Sequence, residues 1–525
     1  MSAIHAWIQG LTFAKKAFLS FVLGIAVAGA LAPTYLIFLL PVSFTGVIWL
    51  LSGAQTRWQA FFIGWWFGWG QFIVGLYWIG VAFLVDAQTH ALLIPLPVLG
   101  LPAVLAIFPG LTALATHMLK VKSLPRLFFF AGCWMALEYV RGTIFTGFPW
   151  NALGYSWAFF LPMLQSAAYI GIFGLTLLTV FASTVPALFV DAETSRKTAV
   201  ISLVSVIGVL IALTAFGAAR LATQSSGLYD QVNLRLVQPN IPQEDKWAAH
   251  LRLEHLRKLI RLSQTKTGTA PTFLVWPETA VPYYLTTMDD LKAQLAEFVP
   301  KGGAIITGAP RHDRGDDRYW NSLQVLDEKG EIRAVYDKQH LVPYGEYMPM
   351  RWLMTATGLT KVIPALDEMS DFADSDKNEP KVIRMDGLPP ARAMICYEIA
   401  FPWEVAPGED FSWIVNITND GWFGNTNGPY QHFAMARSRA VEQGVAVVRA
   451  ANTGISAIID PYGRVLERLD LNDTGIIDGA LPKPIAGRTP YGHYGEYIPM
   501  GVIVLFIGIG VASKRRNRKF TRVSS

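Results

Sequence analysis

Three short stretches of this chain carry residue types that together could make and break an acyl bond. "MICYE", 394–398, ends an apolar run on Cys396. "LVWPET", 274–279, ends another on Glu278, and "VYDKQHLVPYGEY", 335–347, presents Lys338 and then Glu346 eight residues later. A thiol becomes a nucleophile when a base takes its proton, and a carboxylate in an apolar surrounding can have the raised pKa that suits the task. Attack on a carbonyl builds negative charge on its oxygen, which an ammonium such as Lys338 stabilises, with the backbone N–H of Tyr397 as a second donor. Each residue also has a plainer reading: Cys396 as a small core hydrophobe, Glu278 as a salt-bridged strand end, Lys338 as a solvated loop residue. The separations are 60 residues from Glu278 to Lys338 and 58 from Lys338 to Cys396. Only a fold that gathers three strand ends turns them into a site.

The elements around them predict such a fold. From Leu228 to about Thr489, short β-rich runs ("VNLRLVQPN", "TFLVWPET", "AIITGAP", "NSLQVLD", "ARAMICYE", "SWIVNITND", "AVVRAANTG") end on polar or Gly/Pro residues. Helical stretches lie between several of them, and 245–264 has apolar residues at helical spacing. Strands alternating with helices argue an α/β domain with a covered sheet and reactive groups at strand ends.

The rest of the chain is of another kind. Overall it is 52% hydrophobic and 13% aromatic, with mean hydropathy +0.33, too apolar for an ordinary soluble protein. Residues 1–227 hold 10 Lys and Arg and 4 Asp and Glu, and 514–525 hold 6 Lys and Arg and no acid. That leaves 28 basic against 35 acidic residues in 228–513, so the net charge of +5 belongs to the flanks and gives no support to nucleic-acid binding. Two cysteines make no disulfide framework. Apolar runs near 17–32, 35–52, 58–84, 91–119, 125–143, 160–190, 198–219 and 497–513 predict about eight spans, with the two longest open to tilting or kinking. Lys15 and Lys16, Arg57, Lys120 to Arg126, Arg196 and Lys197, and "KRRNRK" at 514–519 all fall on one side of an alternating path. By the positive-inside rule that side is the cytoplasm, which puts the α/β segment outside it, on the periplasmic face in a bacterium. The loop 141–157, rich in Gly and aromatics, falls on the same outer side and reads as an interfacial anchor. Glu138 and Arg141, the main intramembrane charges, lie near a span end and argue against an ion pathway. "YGEYMPM" at 344–350 and "YGEYIPM" at 494–500 read as two interfacial aromatic turns, and Glu496 is given no catalytic role. The expected organisation is 1–227 with about seven spans, 228–490 as the outer α/β domain, 491–513 as a last span and 514–525 as a basic cytoplasmic tail.

"LVWPET", "YDKQHLVPYGEY" and "MICYE" resemble the three catalytic stations of the carbon–nitrogen hydrolase (nitrilase) superfamily, and "QPNIPQEDKW" at 238–247, "YWNS" at 319–322 and "NITNDGWFG" at 416–424 fit its pattern. With such a domain set between spans, the whole chain is similar to the membrane-bound lipoprotein N-acyltransferases of that superfamily, found in bacterial inner membranes. The resemblance implies an αββα sandwich carrying a Glu-Lys-Cys triad: Glu278 as general base, Lys338 as oxyanion stabiliser, Cys396 as nucleophile. It further implies that Glu346 orients the triad or assists the base, that Glu398 supports it as an ion-pair partner, and that Trp247, Asn321 and Tyr397 line the pocket. The implied reaction takes a fatty acyl chain from a membrane phospholipid onto Cys396 as a thioester, then onto the N-terminal α-amine of a diacylglyceryl-modified apolipoprotein. It needs no metal or cofactor, and a monomer acting among membrane lipids suffices. Residues 340–366 are a candidate gate for lipid access. The rival reading is a membrane-tethered amidase that uses water as acceptor; the triad alone suits both, while eight spans are a large tether for a soluble substrate.

Overall fold

The computed structural model describes residues 1–268, 270–313, 315–357, 371–375, 379–405 and 409–523. The chain divides into two compact units, one of 1–80, 94–224 and 489–525, the other of 81–93 with 225–488.

The first unit is helical. Its main helices are Phe13–Ala28, Leu39–Ser52, Arg57–Leu76, Ile107–Leu119, Ser123–Thr143, Ala167–Thr184, Arg196–Thr223 and Tyr497–Val523. Among the described residues, four helical segments are long and apolar enough to cross a membrane: Ala91–Leu119, Ala167–Val190, Arg196–Thr223 and Tyr497–Arg515. The other four expected runs are helical but fall short. Phe13–Ala28 and Leu39–Ser52 have only 16 and 14 residues. Arg57–Leu76 and Ser123–Thr143 have 20 and 21, but Trp and Gly dilute the first, while Arg126, Glu138 and Arg141 interrupt the second. The run at 58–84 stops after Leu76 and resumes only as Ile79–Ala82. The run at 160–190 breaks at Gly171 (φ 64°, ψ 177°), where a Cβ would lie 2.4 Å from the Tyr491 ring; only glycine fits both constraints. Glu138 accepts from Trp134 Nε1 at 3.3 Å and from the Thr176 hydroxyl at 2.9 Å. Arg141 donates to the carbonyls of Phe148 and Trp150. The 141–157 loop therefore folds inward at its centre, with Trp150 fully buried, and presents Phe145 outward.

The second unit holds two six-stranded sheets. β1 (Leu228–Gln238), β2 (Phe273–Val275), β3 (Ala304–Asp313), β4 (Arg318–Asp327), β5 (Ile332–Asp337) and β12 (Gly475–Pro482) run in the order β12-β1-β2-β3-β4-β5. β6 (Val382–Met385), β7 (Leu388–Ile395), β8 (Trp413–Thr418), β9 (Ala446–Ala451), β10 (Ser456–Ile459) and β11 (Val465–Leu469) run β11-β10-β9-β8-β7-β6. In each sheet three central strands are parallel, β1-β2-β3 and β7-β8-β9, and the flanking pairs are antiparallel. Strand side chains alternate between faces, and both faces here are apolar. Leu234, Leu236, Phe273, Val275 and Ile306 meet Ala391, Ala393, Ile395, Val415 and Val448 between the sheets. The intervening Val237, Leu274, Trp276 and Ile305 pack on the helices Arg252–Ser263 and Asp289–Ala296. Met394, Ile414 and Val447 pack with Phe433, Ala436 and Ala440 of Gly428–Gln443. The result is a four-layer αββα sandwich. The helix expected from 245 begins only at Arg252; 243–247 form turns, which matters for what Lys246 does.

Candidate active site

Glu278 stands three residues past the end of β2, and its backbone is held against β3. Gly308 N–H donates to the Pro277 carbonyl and Val281 N–H to the Gly308 carbonyl. A Cβ on Gly308 would lie 2.3 Å from Thr279 N and 2.7 Å from Glu278 Cα, so the close approach requires glycine. The Glu278 carboxylate is buried and accepts from Asn321 Nδ2 at 2.7 Å. Asn321, on β4, donates from the same nitrogen to Glu346 Oε1 at 2.9 Å. Lys338 follows β5 directly, 1% exposed; its backbone N–H is fixed by the Asn321 carbonyl. Its Nζ lies 2.8 and 2.9 Å from the two Glu346 oxygens and 3.7 Å from Glu278 Oε1. Glu346 also accepts from the Val342 N–H, closing the loop that carries it. Asn321 is thus the bridge between two carboxylates that share one ammonium. Burial works against a charged Lys338, but Glu346 and then Glu278 outweigh it and hold its pKa above the ordinary value.

Cys396 directly follows β7 and begins the short turn of helix Cys396–Ala400. Its φ is +50°, a left-handed conformation that costs a non-glycine residue about 1–3 kcal/mol and persists only where its surroundings impose it. The thiol is buried, and the Thr418 hydroxyl favours its ionisation. Burial, with Glu278 next, pushes it up to about 12 against the opposing pull of Lys338. At neutral pH Cys396 is therefore a thiol rather than a standing thiolate, and a base would have to take its proton for it to act as a nucleophile. The electrostatic influence of Glu278 and Lys338 on that thiol joins the three stations read from the sequence.

The remaining expected residues fall differently. Glu398 is 1% exposed, yet its carboxylate meets neutral donors: the Tyr336 hydroxyl at 2.8 Å and the N–H groups of Gln339, His340 and Ile395. Arg392 and Lys338 favour its charge electrostatically, and the donors it collects tie the Lys338 loop to the end of β7. Burial raises its pKa. The Tyr397 ring packs edge-on against His340 and Phe401. Trp247 is 42% exposed and stands outside the buried network. Its neighbour Lys246, not among the expected residues, is the buried one: Nζ donates to the Glu278 carbonyl at 3.0 Å. Burial lowers it to about 8 although Glu278 and Cys396 favour its charge. The candidate gate is visible in part. Tyr344, Met350 and Trp352 are exposed, and residues 358–366 lie outside the described residues.

Residues 23–185 match the family described as the apolipoprotein N-acyltransferase N-terminal domain, and 233–491 match carbon–nitrogen hydrolase. The apolipoprotein N-acyltransferase of Rhodopseudomonas palustris is 41% identical over 523 residues, covering 96% of each chain. That of Bradyrhizobium diazoefficiens is 40% identical over 522 residues, again 96% of each. Among solved structures, a Saccharomyces cerevisiae member of branch 10 of the nitrilase superfamily aligns with 49% of this chain and 93% of its own, at 18% identity and a TM-score of 0.35.

Proposed function

The chain belongs to the apolipoprotein N-acyltransferase family, and from that membership we propose a two-step route for its acyl transfer. The enzyme moves an acyl chain from a lipid to an apolipoprotein amine. In the first step Glu278 takes the Cys396 proton as sulfur attacks the ester carbonyl of a phospholipid. Lys338 Nζ and the Tyr397 N–H receive the developing oxyanion. The ester C–O bond breaks, Glu278 returns the proton to the leaving oxygen, and a lysophospholipid departs from a Cys396 thioester. In the second step the α-amine of a diacylglyceryl-cysteine attacks the thioester, Glu278 takes the amine proton and gives it to the sulfur, and an amide forms. The observation that carries this reading is the shared network: Glu278 and Glu346 bridged by Asn321 around Lys338, beside a buried thiol on a left-handed residue. Matching over the helical part as well as the sandwich favours transfer between lipids over hydrolysis by water.

We infer further that the helical unit crosses the bacterial inner membrane eight times. The four long apolar helices are joined by Phe13–Ala28, Leu39–Ser52, Arg57–Leu76 and Ser123–Thr143. On this reading 1–227, 228–490, 491–513 and 514–525 are membrane domain, periplasmic catalytic domain, last span and cytoplasmic tail. The basic loops support that orientation, and the exposed aromatics at 344–352 suit lipid access.

Intact-protein mass spectrometry after incubation with phospholipid alone tests the route. An added acyl mass on Cys396, removed by hydroxylamine and discharged onto a diacylglyceryl-peptide amine, is the expected result. Steady release of free fatty acid with neither adduct nor amide would sink it. A reporter active only in the periplasm, fused after Ser525 and found active, would reverse the orientation.

A further inference from the structure

Behind the Cys396 turn lies a fully buried polar cluster that the chemistry above does not use. His432, on the helix Gly428–Gln443, is 0% exposed, as are Asp420 and Arg449. Its Nε2 lies 3.0 Å from the Cys396 carbonyl oxygen. Its Nδ1 lies 2.8 Å from Asp420 Oδ1 and 3.1 Å from an Arg449 guanidinium nitrogen. Arg449 in turn binds Asp420 Oδ2 at 2.7 Å and Asn416 of β8. The cluster spans the ends of all three parallel strands of the second sheet.

The Cys396 carbonyl and the Asp420 carboxylate both only accept, so the imidazolium donates to each, while a neutral ring donates from Nε2 to Cys396 when Nδ1 accepts from Arg449. The Cys396 carbonyl is thus pinned by a donor whose own position is fixed by a buried ion pair. The carbonyl of Cys396 and the N–H of Tyr397 are the two ends of one planar trans peptide, and they point in opposite directions. Whatever fixes the first aims the second. The left-handed φ of Cys396 makes that peptide plane one the chain would not adopt unaided.

We propose that His432 is a positioning residue for acyl transfer: by holding the Cys396 carbonyl, it aims the Tyr397 N–H at the oxyanion formed on the acyl group. The proposal rests on the reading of Cys396 as nucleophile.

The test separates two reactions of the same sulfur. Alkylation by iodoacetamide is a displacement at an sp³ carbon and forms no oxyanion; acylation by phospholipid does. The full-length enzyme in detergent is compared with His432→Asn and His432→Gln. The asparagine amide falls near Nδ1 and keeps Asp420 but cannot reach the Cys396 carbonyl. The glutamine amide reaches the Nε2 position. In His432→Asn, acyl-enzyme formation should fall by about 10²–10³, the cost of a lost oxyanion donor, while alkylation at Cys396 stays within about twofold, because thiolate character alone sets it. His432→Gln should recover acylation to within about tenfold of wild type. Equal losses of acylation and alkylation in His432→Asn would make the histidine a structural support only, and unchanged acylation would remove it from the mechanism. If the unaltered enzyme takes up no acyl group on Cys396, the nucleophile assignment fails instead, and that outcome is read from the wild-type arm alone.

Discussion

The two sheets of the sandwich share a plan, three parallel strands between antiparallel flanks, yet their strand ends are furnished differently. From β4 and from the segments past β2 and β5, the first sheet supplies Asn321, Glu278, Lys338 and Glu346, groups that touch one another through a single ammonium and a single amide. Past β7 and β8, the second supplies Cys396 and, beneath it, Asp420, Arg449 and His432, a set that is 0% exposed and closed on itself. On the proposed route Glu278 moves the protons, while Lys338, held charged by Glu346 and Glu278, stays an ammonium. On the proposed route the covalent bond forms on a sulfur whose backbone carbonyl meets the buried His432 cluster. The first half is built to respond and the second to stay still.

Breaking that division should cost most at the sulfur. Cys396→Ala should abolish acyl-enzyme and amide product while leaving the thermal melt within a few degrees, since trading a buried thiol for a methyl removes little volume; residual turnover in purified protein would overturn the assignment. Next, Lys338→Ala should lower acylation by about 10²–10³. Lys338→Arg should not restore it, because a planar guanidinium does not fit where a compact ammonium meets two carboxylates. Asn321→Ala should cost about tenfold in acylation, the equivalent of one hydrogen bond of about 1.4 kcal/mol. Asn321→Asp should cost more, because a third carboxylate between Glu278 and Glu346 forces one of them to hold a proton. Near-equal rates for the two variants would mean the bridge is not what orders the pair. The smallest and most discriminating effect is on the resting thiol. With its pKa pushed up to about 12, iodoacetamide alkylation should rise about tenfold per pH unit from pH 7 to 10 with no plateau. Because Glu278 contributes to that rise, Glu278→Gln should speed alkylation severalfold at pH 8 while slowing acyl transfer. A plateau near pH 8.5 would show a thiol that Glu278 does not restrain.

The parts of this arrangement legible in the sequence are those where local pattern and chemistry coincide. Apolar runs ending on Glu278 and Cys396 announce strands with polar groups past their ends, and the runs at 91–119 and 198–219 announce helices long and apolar enough to cross a membrane. Span counting is harder where Trp, Gly and charge share a helix, as in Arg57–Leu76 and Ser123–Thr143, because composition then no longer separates a membrane helix from a buried one. Lys246 and His432 could not be singled out. Each sits in an ordinary local context, one in a polar turn and one in a helix, and becomes significant only through residues more than 30 positions away that the sheets bring alongside. Glu398 stands out through its match to a family position beside Cys396, while the hydrogen-bond donors it collects from two loops are visible only in the fold. Trp247 shows the converse: the turn that exposes its indole is the one that buries the lysine before it.

The buried, protonated state of Cys396 has a consequence for an enzyme that waits between substrates. Peroxide attacks the thiolate rather than the thiol, and exposure governs how far a cysteine climbs from sulfenic to irreversible sulfinic acid. A sulfur held neutral until an acyl donor arrives, and only 6% exposed, is a poor oxidant target while idle. Inactivation by hydrogen peroxide should be slow at pH 7 and quicken with pH in step with alkylation, so that the enzyme's shelf life and its nucleophilicity are governed by the same ionisation.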